Sequence, residues 1–190
     1  VSVAAIVDAT GLAKLAADPT VKRIELDVPV TAFLDSSLGE IKARETWASF
    51  DRSNQSLTGV GKRIAIIDTG VNYRHSDLGG CFGSGCKVVG GYDFVNNDAD
   101  PRDDHGHGTH VAATAAGKGT LYGVAPDAQI LAYKVLNASG SGSFSSVIAA
   151  INRATDPNND GDTSDHVDVV NMSLGGPGNP DDAVSRAVDN

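Results

Sequence analysis

No apolar run in this chain approaches the ~18–20 residues of a bilayer-spanning helix, so a membrane-spanning helix is excluded. The chain has no initiator Met and no leader-like start, and it reads as beginning mid-sequence. Bases are in deficit, 15 Lys and Arg against 24 Asp and Glu, and the net charge of −9 argues against a nucleic-acid partner. Internal repeats and low-complexity tracts are missing, which sets aside solenoids and disordered linkers. Cysteine is nearly absent. Cys81 and Cys86 enclose Phe82-Gly83-Ser84-Gly85, a tetrapeptide flexible enough to close a small ring or to leave two free thiols. A closed ring implies an oxidising compartment and contributes roughly 2 kcal/mol.

What is present is a globular composition: 41% hydrophobic residues and 22 glycines over 190 residues suit one α/β domain, or one and a fraction. The negative charge is local. Residues 93–104 carry five aspartates and one arginine, and residues 156–168 carry five aspartates and no base, so these windows hold −4 and −5 of the total. Charge gathered in two short loops points to a local cause such as a bound cation; solvated acidic loops are the plainer alternative.

Residues 1–28 predict a strand–helix–strand unit, with strands at Val1–Val7 and Val21–Val28 around a helix at Thr10–Ala17; it is too small to bury a core alone. Residues 28–54 lack a sustained period and read as a connector, with a short helix around Ile41–Phe50 and Trp47 as a buried anchor. From Lys62 strands and helices alternate. Strands are predicted at Arg63–Asp68, Lys87–Phe94, Gln129–Val135 and Val167–Ser173, and helices at His107–Gly117, Phe144–Thr155 and from Asp181 onward. Phe144, Val147, Ile148 and Ile151 form the stripe of a helix packed on a sheet. Such alternation implies a parallel sheet with right-handed crossovers.

Two stretches carry chemistry. Ile64-Ala65-Ile66-Ile67 runs into Asp68 and Gly70, a strand buried on both faces that presents Asp68 at its carboxyl edge, where ligand sites of parallel sheets gather. Asp103-Asp104-His105-Gly106-His107-Gly108-Thr109-His110 leads into a small-residue helix and supplies imidazoles able to move a proton near neutral pH. His107 and His110 also have a zinc-ligand spacing, but no Glu follows His107 and no third ligand block occurs.

Three blocks resemble the subtilisin-like serine proteases (subtilases): Ile66-Ile67-Asp68-Thr69-Gly70-Val71, His107-Gly108-Thr109-His110-Val111-Ala112 and Asn171-Met172-Ser173-Leu174-Gly175-Gly176, in the family's order. The resemblance implies an α/β fold: a subtilisin-like parallel sheet with helices on both faces, incomplete here, preceded by part of an α+β inhibitor-type prodomain. The boundaries expected are 1–37 for the partial prodomain and linker and 38–190 for the catalytic part. Processing would then fall within residues 30–45. Asp68 becomes the acid that orients the imidazole of His107, the base; His105 reads as a loop residue and His110 as a structural helix residue. Gly140, Ser141, Gly142 and Phe144 on one edge, and Ser173, Leu174 and Gly175 on the other, would hold a polypeptide substrate added as a strand. The implied activity is that of a secreted endopeptidase, with its own prodomain as intramolecular inhibitor. The family's Gly-Thr-Ser-x-Ala nucleophile segment does not occur in these residues, and neither does its oxyanion asparagine, for which Asn171 does not stand. The alternative is therefore a non-catalytic subtilase-like binding module. Finally, Asp156, Asn158, Asp160, Asp162 and Asp165 begin like an EF-hand loop, D-x-N-x-D-G, without its closing Glu, and suggest a structural Ca²⁺ site.

Overall fold

Apolar residues that alternate between two faces of one parallel sheet dictate the architecture. In the computed structural model, which describes residues 4–32 and 41–189, the elements in chain order are α1 (Ala9–Ala17), β1 (Pro29–Ala32), α2 (Ala43–Trp47), β2 (Arg63–Asp68), β3 (Val88–Asp93), α3 (His107–Ala116), β4 (Gln129–Lys134), β5 (Ser141–Ser143), α4 (Phe144–Thr155), β6 (Val169–Asn171), β7 (Leu174–Gly175) and α5 (Ala183–Asp189). β3, β4, β2 and β6 pair in that order, all parallel. On β2 and β4, Ile64, Ile66, Ile130 and Ala132 meet Val111, Ala112 and Ala116 of α3 on one face. Ala65, Ile67, Leu131 and Tyr133 meet Val147, Ala150, Ile151 and Ala154 of α4 on the other. Helices therefore cover both faces, as the period-2 pattern of a doubly buried strand requires.

The two helices pack by different means. α4 presents the expected apolar stripe, and Ser143 caps it by accepting the Ser146 N–H. α3 has a weak stripe and packs by small residues, with Gly108, Ala112 and Ala116 all buried. Register aligns Asp68 with Lys134 and Asp93 with Lys134, so the charged strand ends converge on one sheet edge.

The second, three-stranded sheet contains a strand, β1, that the sequence pattern did not predict. β1 runs antiparallel between β5 and β7, pairing Val30 with Gly142 and Thr31 with both Ser141 and Gly175.

The N-terminal strand–helix–strand expectation is corrected. Only α1 forms; residues 4–7 and 21–28 are not strands, and Val1–Val3 lie outside the described residues. α1 buries no residue, and Ile6, Leu12, Ile24 and Leu26 remain exposed. Strands need a partner sheet to pair with and a surface to cover, and this segment meets neither. Smaller adjustments concern Trp47, which is half-buried with its indole N–H donating to Val124 O at 2.8 Å, and the last predicted strand, Val167–Ser173, which is shortened to β6, with β7 beginning just after its predicted end. The expected boundary at residue 38 falls outside the described residues.

Burial predicts the response to truncation. Ile66→Ala, at a fully buried position, should cost about 3 kcal/mol, whereas Leu26→Ala, at an 85% exposed one, should change stability by less than about 0.5 kcal/mol. Urea unfolding of the full-length protein checks both.

Candidate active site

β2 delivers Asp68 to the sheet edge, and α3 begins there with His107. The Asp68 Oδ1 to His107 Nδ1 distance is 2.7 Å, with Asp68 fully buried and the His107 side chain 12% exposed. Asp68 Oδ1 also accepts the Thr69 N–H at 2.7 Å. Among the described residues His107 Nε2 is buried without a hydrogen-bond partner, as is Asp68 Oδ2. A carboxylate on Nδ1 fixes the tautomer with Nδ1–H and leaves Nε2 able to take a proton from a nucleophile. The two residues that the sequence pattern singled out thus meet at this edge.

Sequence reasoning missed what holds them there. Asp103 Oδ1 accepts Thr69 Oγ1–H, His105 N–H and Gly106 N–H, each at 2.9 Å. Its Oδ2 accepts the Thr109 N–H at 2.9 Å and the Thr109 hydroxyl. Thr69 Oγ1 in turn accepts the Gly108 N–H at 2.8 Å. One carboxylate thus ties the residue after Asp68 to the residues flanking His107, and satisfies N–H groups that α3's open first turn leaves over. Burial alone would raise the Asp103 pKa, but the hydrogen bonds from Thr109, Gly106 and His105 outweigh it and hold the carboxyl below its ordinary value.

A second tie is Lys134, buried at the end of β4. Its Nζ donates to Thr69 O at 2.8 Å and Leu136 O at 2.9 Å, and pairs with Asp104 Oδ1 at 2.5 Å. A lone lysine closing an apolar strand was the available signal, since a buried ammonium must find acceptors.

The predicted cleft residues assemble around β1. Ser141 and Gly142 lie on β5, and Leu174 and Gly175 on β7. Gly140 sits just outside β5 at φ +70°, where a Cβ would lie 3.3 Å from His105 Nε2, so the loop of His105 and His107 touches the cleft edge. Ser173 lies between β6 and β7 and accepts from Asn171 Nδ2 at 3.0 Å. Phe144 lines an open, mostly apolar hollow of about 520 Å³ with Val147, Met172 and Leu174. His110 is exposed on α3.

Cys81 and Cys86 form a disulfide. The acidic loop is less cage-like than its sequence suggests. Asp156 accepts the Asp160 and Gly161 N–H groups, Asp160 that of Asp162, and Asp162 that of Ser164. Among the described residues no three His, Cys, Asp or Glu side chains are grouped to hold a metal ion. Asp165 Oδ1 is buried there without a partner.

The clamp generates a prediction. Asp103→Asn replaces one acceptor oxygen with a donor, leaves donors unpaired and should cost roughly 2 kcal/mol. The downfield His107 Nδ1–H resonance should weaken with it, while Asp98→Asn, whose amide oxygen can still accept the Asp100 N–H, should leave that resonance intact. Because the Asp103 pKa is lowered on folding, its stabilisation is present above the ordinary aspartate pKa and is lost as pH falls through the lower native value. Unfolding measured across that acid range should show a smaller pH dependence in Asp103→Asn than in the wild type.

Comparison with known proteins follows the same geometry. Residues 59–190 match the model of the subtilase family. The chain is 45% identical over 170 residues to minor extracellular protease Vpr of Bacillus subtilis (strain 168), covering 84% of this chain and 19% of Vpr. It is 41% identical over 138 residues to subtilisin DY of Bacillus licheniformis, covering 71% of this chain and 44% of that protein. The crystal structure of a cold adapted subtilisin-like serine proteinase superposes with a TM-score of 0.54 at 41% identity, over 74% of this chain and 48% of the other. The chain thus spans less than half the length of these relatives, and it belongs to the subtilase family of serine proteases.

Proposed function

We propose that the full-length protein is a secreted endopeptidase that hydrolyses peptide bonds through an Asp-His-Ser triad. The observation that carries this is the 2.7 Å contact of Asp68 Oδ1 with His107 Nδ1, with Nε2 left unpartnered. Asp68 holds the imidazole tautomer and stabilises the imidazolium. His107 Nε2 takes the proton of a serine hydroxyl as that oxygen attacks the peptide carbonyl, and returns it to the leaving amine. The serine belongs to a segment that these residues do not contain. Secretion is in keeping with the Cys81–Cys86 disulfide and with the name of the extracellular relative.

In this reading a polypeptide substrate takes the place of β1, as a strand between β5 and β7, with apolar side chains accommodated beside Phe144. Residues 1–37 act as a partial prodomain whose tail occupies that place and inhibits the enzyme, and 38–190 form the N-terminal part of the catalytic domain. Support comes from the antiparallel pairing of β1 with both cleft edges.

In the full-length protein, Asp68→Asn should lower kcat by roughly 10⁴ with the circular dichroism spectrum unchanged, because the tautomer is no longer fixed. A loss under tenfold would remove Asp68 from the mechanism. The 190-residue chain by itself should not hydrolyse peptides in the same assay.

Calcium binding at Asp156, Asn158, Asp160, Asp162 and Asp165 is a separate proposal. It rests on the spacing of oxygen side chains and requires them to turn from their backbone partners toward one point. Calcium should then raise the melting temperature of the full-length wild type but not of Asp160→Ala, and equal melting points with calcium and with chelator in both proteins would sink it.

A further inference from the structure

His107 opens α3, so its own N–H is one of the first-turn donors that no helical carbonyl reaches. The cap is Gly106, at φ +101°, which has no side chain to accept that bond. The acceptor is His105, whose Nδ1 takes the His107 N–H at 3.3 Å. The two rings stand at 73° to each other with centroids 6.3 Å apart. Asp103 Oδ1 holds His105 by its backbone N–H, and Nε2 of the ring lies against Gly140 at the cleft edge. An accepting Nδ1 is unprotonated, so neutral His105 here carries its proton on Nε2.

Proton uptake changes this contact. An imidazolium carries N–H on both nitrogens, so Nδ1 turns from acceptor to donor and faces the His107 N–H, donor against donor. It also sets a positive charge, 6.3 Å between ring centroids, beside the imidazole that must itself become positive in the reaction. The carboxylates nearby are already engaged: Asp68 by His107, Asp103 by five donors and Asp104 by Lys134. Arg102 in the same loop and His110 on α3 are exposed, and residues 136–142 beside the ring contain no ionisable side chain.

We propose that His105 is a positioning residue for His107: neutral, it closes the first turn of α3 and holds the base against Asp68; protonated, it releases that turn and switches the site off in mild acid. The inference rests on the Asp-His-Ser reading and adds a second proton to its pH dependence. One proton, on His107, is inherent in any such site, because Nε2 must be free to act as the base. The second belongs to the loop of this chain.

The test is the pH profile of kcat/KM for the full-length protein on a neutral fluorogenic peptide, from about pH 8 down to about pH 5, the range in which imidazoles titrate. The acid limb of the wild type should steepen from one proton to two, from about tenfold toward about a hundredfold loss per pH unit. His105→Asn puts an amide oxygen near the place of Nδ1 and cannot titrate, so its limb should follow one proton throughout. His105→Ala offers no acceptor; it too should follow one proton, with kcat about tenfold below that of His105→Asn at pH 8 and KM little changed. A one-proton limb in the wild type, a two-proton limb in His105→Asn, or equal kcat in the Asn and Ala variants overturns the proposal. If no peptide is cut, the peptidase reading fails, and His105 is decided by NMR of the full-length protein. The Cε1–H shift of His107 should then titrate in two steps in the wild type and in one in His105→Asn, and identical curves overturn it.

Discussion

The close approach of α3 to the end of β2 is the constraint on which the site depends. A Cβ at Gly108 would lie 2.1 Å from Gly70 O and 3.1 Å from Asp68 Oδ1, so only glycine fits. With no side chain at that point, the Gly108 N–H reaches Thr69 Oγ1, and the neighbouring His107 is brought onto the carboxylate of Asp68. The strand end needs the same freedom, since a Cβ on Gly70, at φ +100°, would lie 2.6 Å from Pro101 O. The Pro101 carbonyl accepts the Val71 N–H at 2.9 Å, which brings the loop carrying Asp103 against the strand end. Two glycines therefore set a distance that two carboxylates and a buried ammonium then hold.

The concentrated negative charge has a structural account that needs no bound cation in the first window. Asp93 accepts the Val95 and Asn96 N–H groups, Asp100 accepts the Tyr73 hydroxyl, Asp103 serves five donors and Asp104 neutralises Lys134. In the second window, Asp168 binds Lys62 and the Arg63 N–H and ties the start of β2 to the entry of β6. Carboxylates are the strongest acceptors for loop N–H groups that no ladder satisfies, so sharp loops at strand ends gather them. A formal charge count registers such residues as surface field, although much of their charge is spent locally.

How much was legible follows the range over which each feature is determined. β2 and α4 are written in local apolar patterns, and both appear where those patterns put them. Asp68 and His107 were legible because two short blocks that resemble those of the family carry them. The Asp103 clamp was not, since its partners Thr69 and Thr109 lie on separate elements that only the fold brings within hydrogen-bond range. β1 was hidden for a related reason. Val28–Asn54 has no period of its own, and Pro29–Ala32 becomes a strand because β5 and β7 offer unpaired edges on both sides. The failed strands at residues 4–7 and 21–28 are the converse case, with strand-like composition and no edge to pair with.

The docked segment is held by a particular kind of contact, and that bears on how permanent its position is. Among the described residues its ties to the rest of the chain include backbone pairs along β1, the Phe144 N–H on Val28 O, the Asp27 bonds to Ser145 and the Glu25 pair with Arg186. Exposed charge pairs each contribute about 0–1 kcal/mol, and a short strand adds little beyond its ladder. No residue of α1, upstream in the same segment, is buried to add apolar stabilisation. On the proposed prodomain reading, ties this weak hold the segment only while covalent attachment supplies an effective concentration in the millimolar range. The cleft edges pair with the occupant through backbone bonds along Pro29–Ala32, and the Asp27 and Glu25 contacts hold it only on its upstream side. Strength in the frame and weakness in the occupant is the distribution that allows one strand to be exchanged for another.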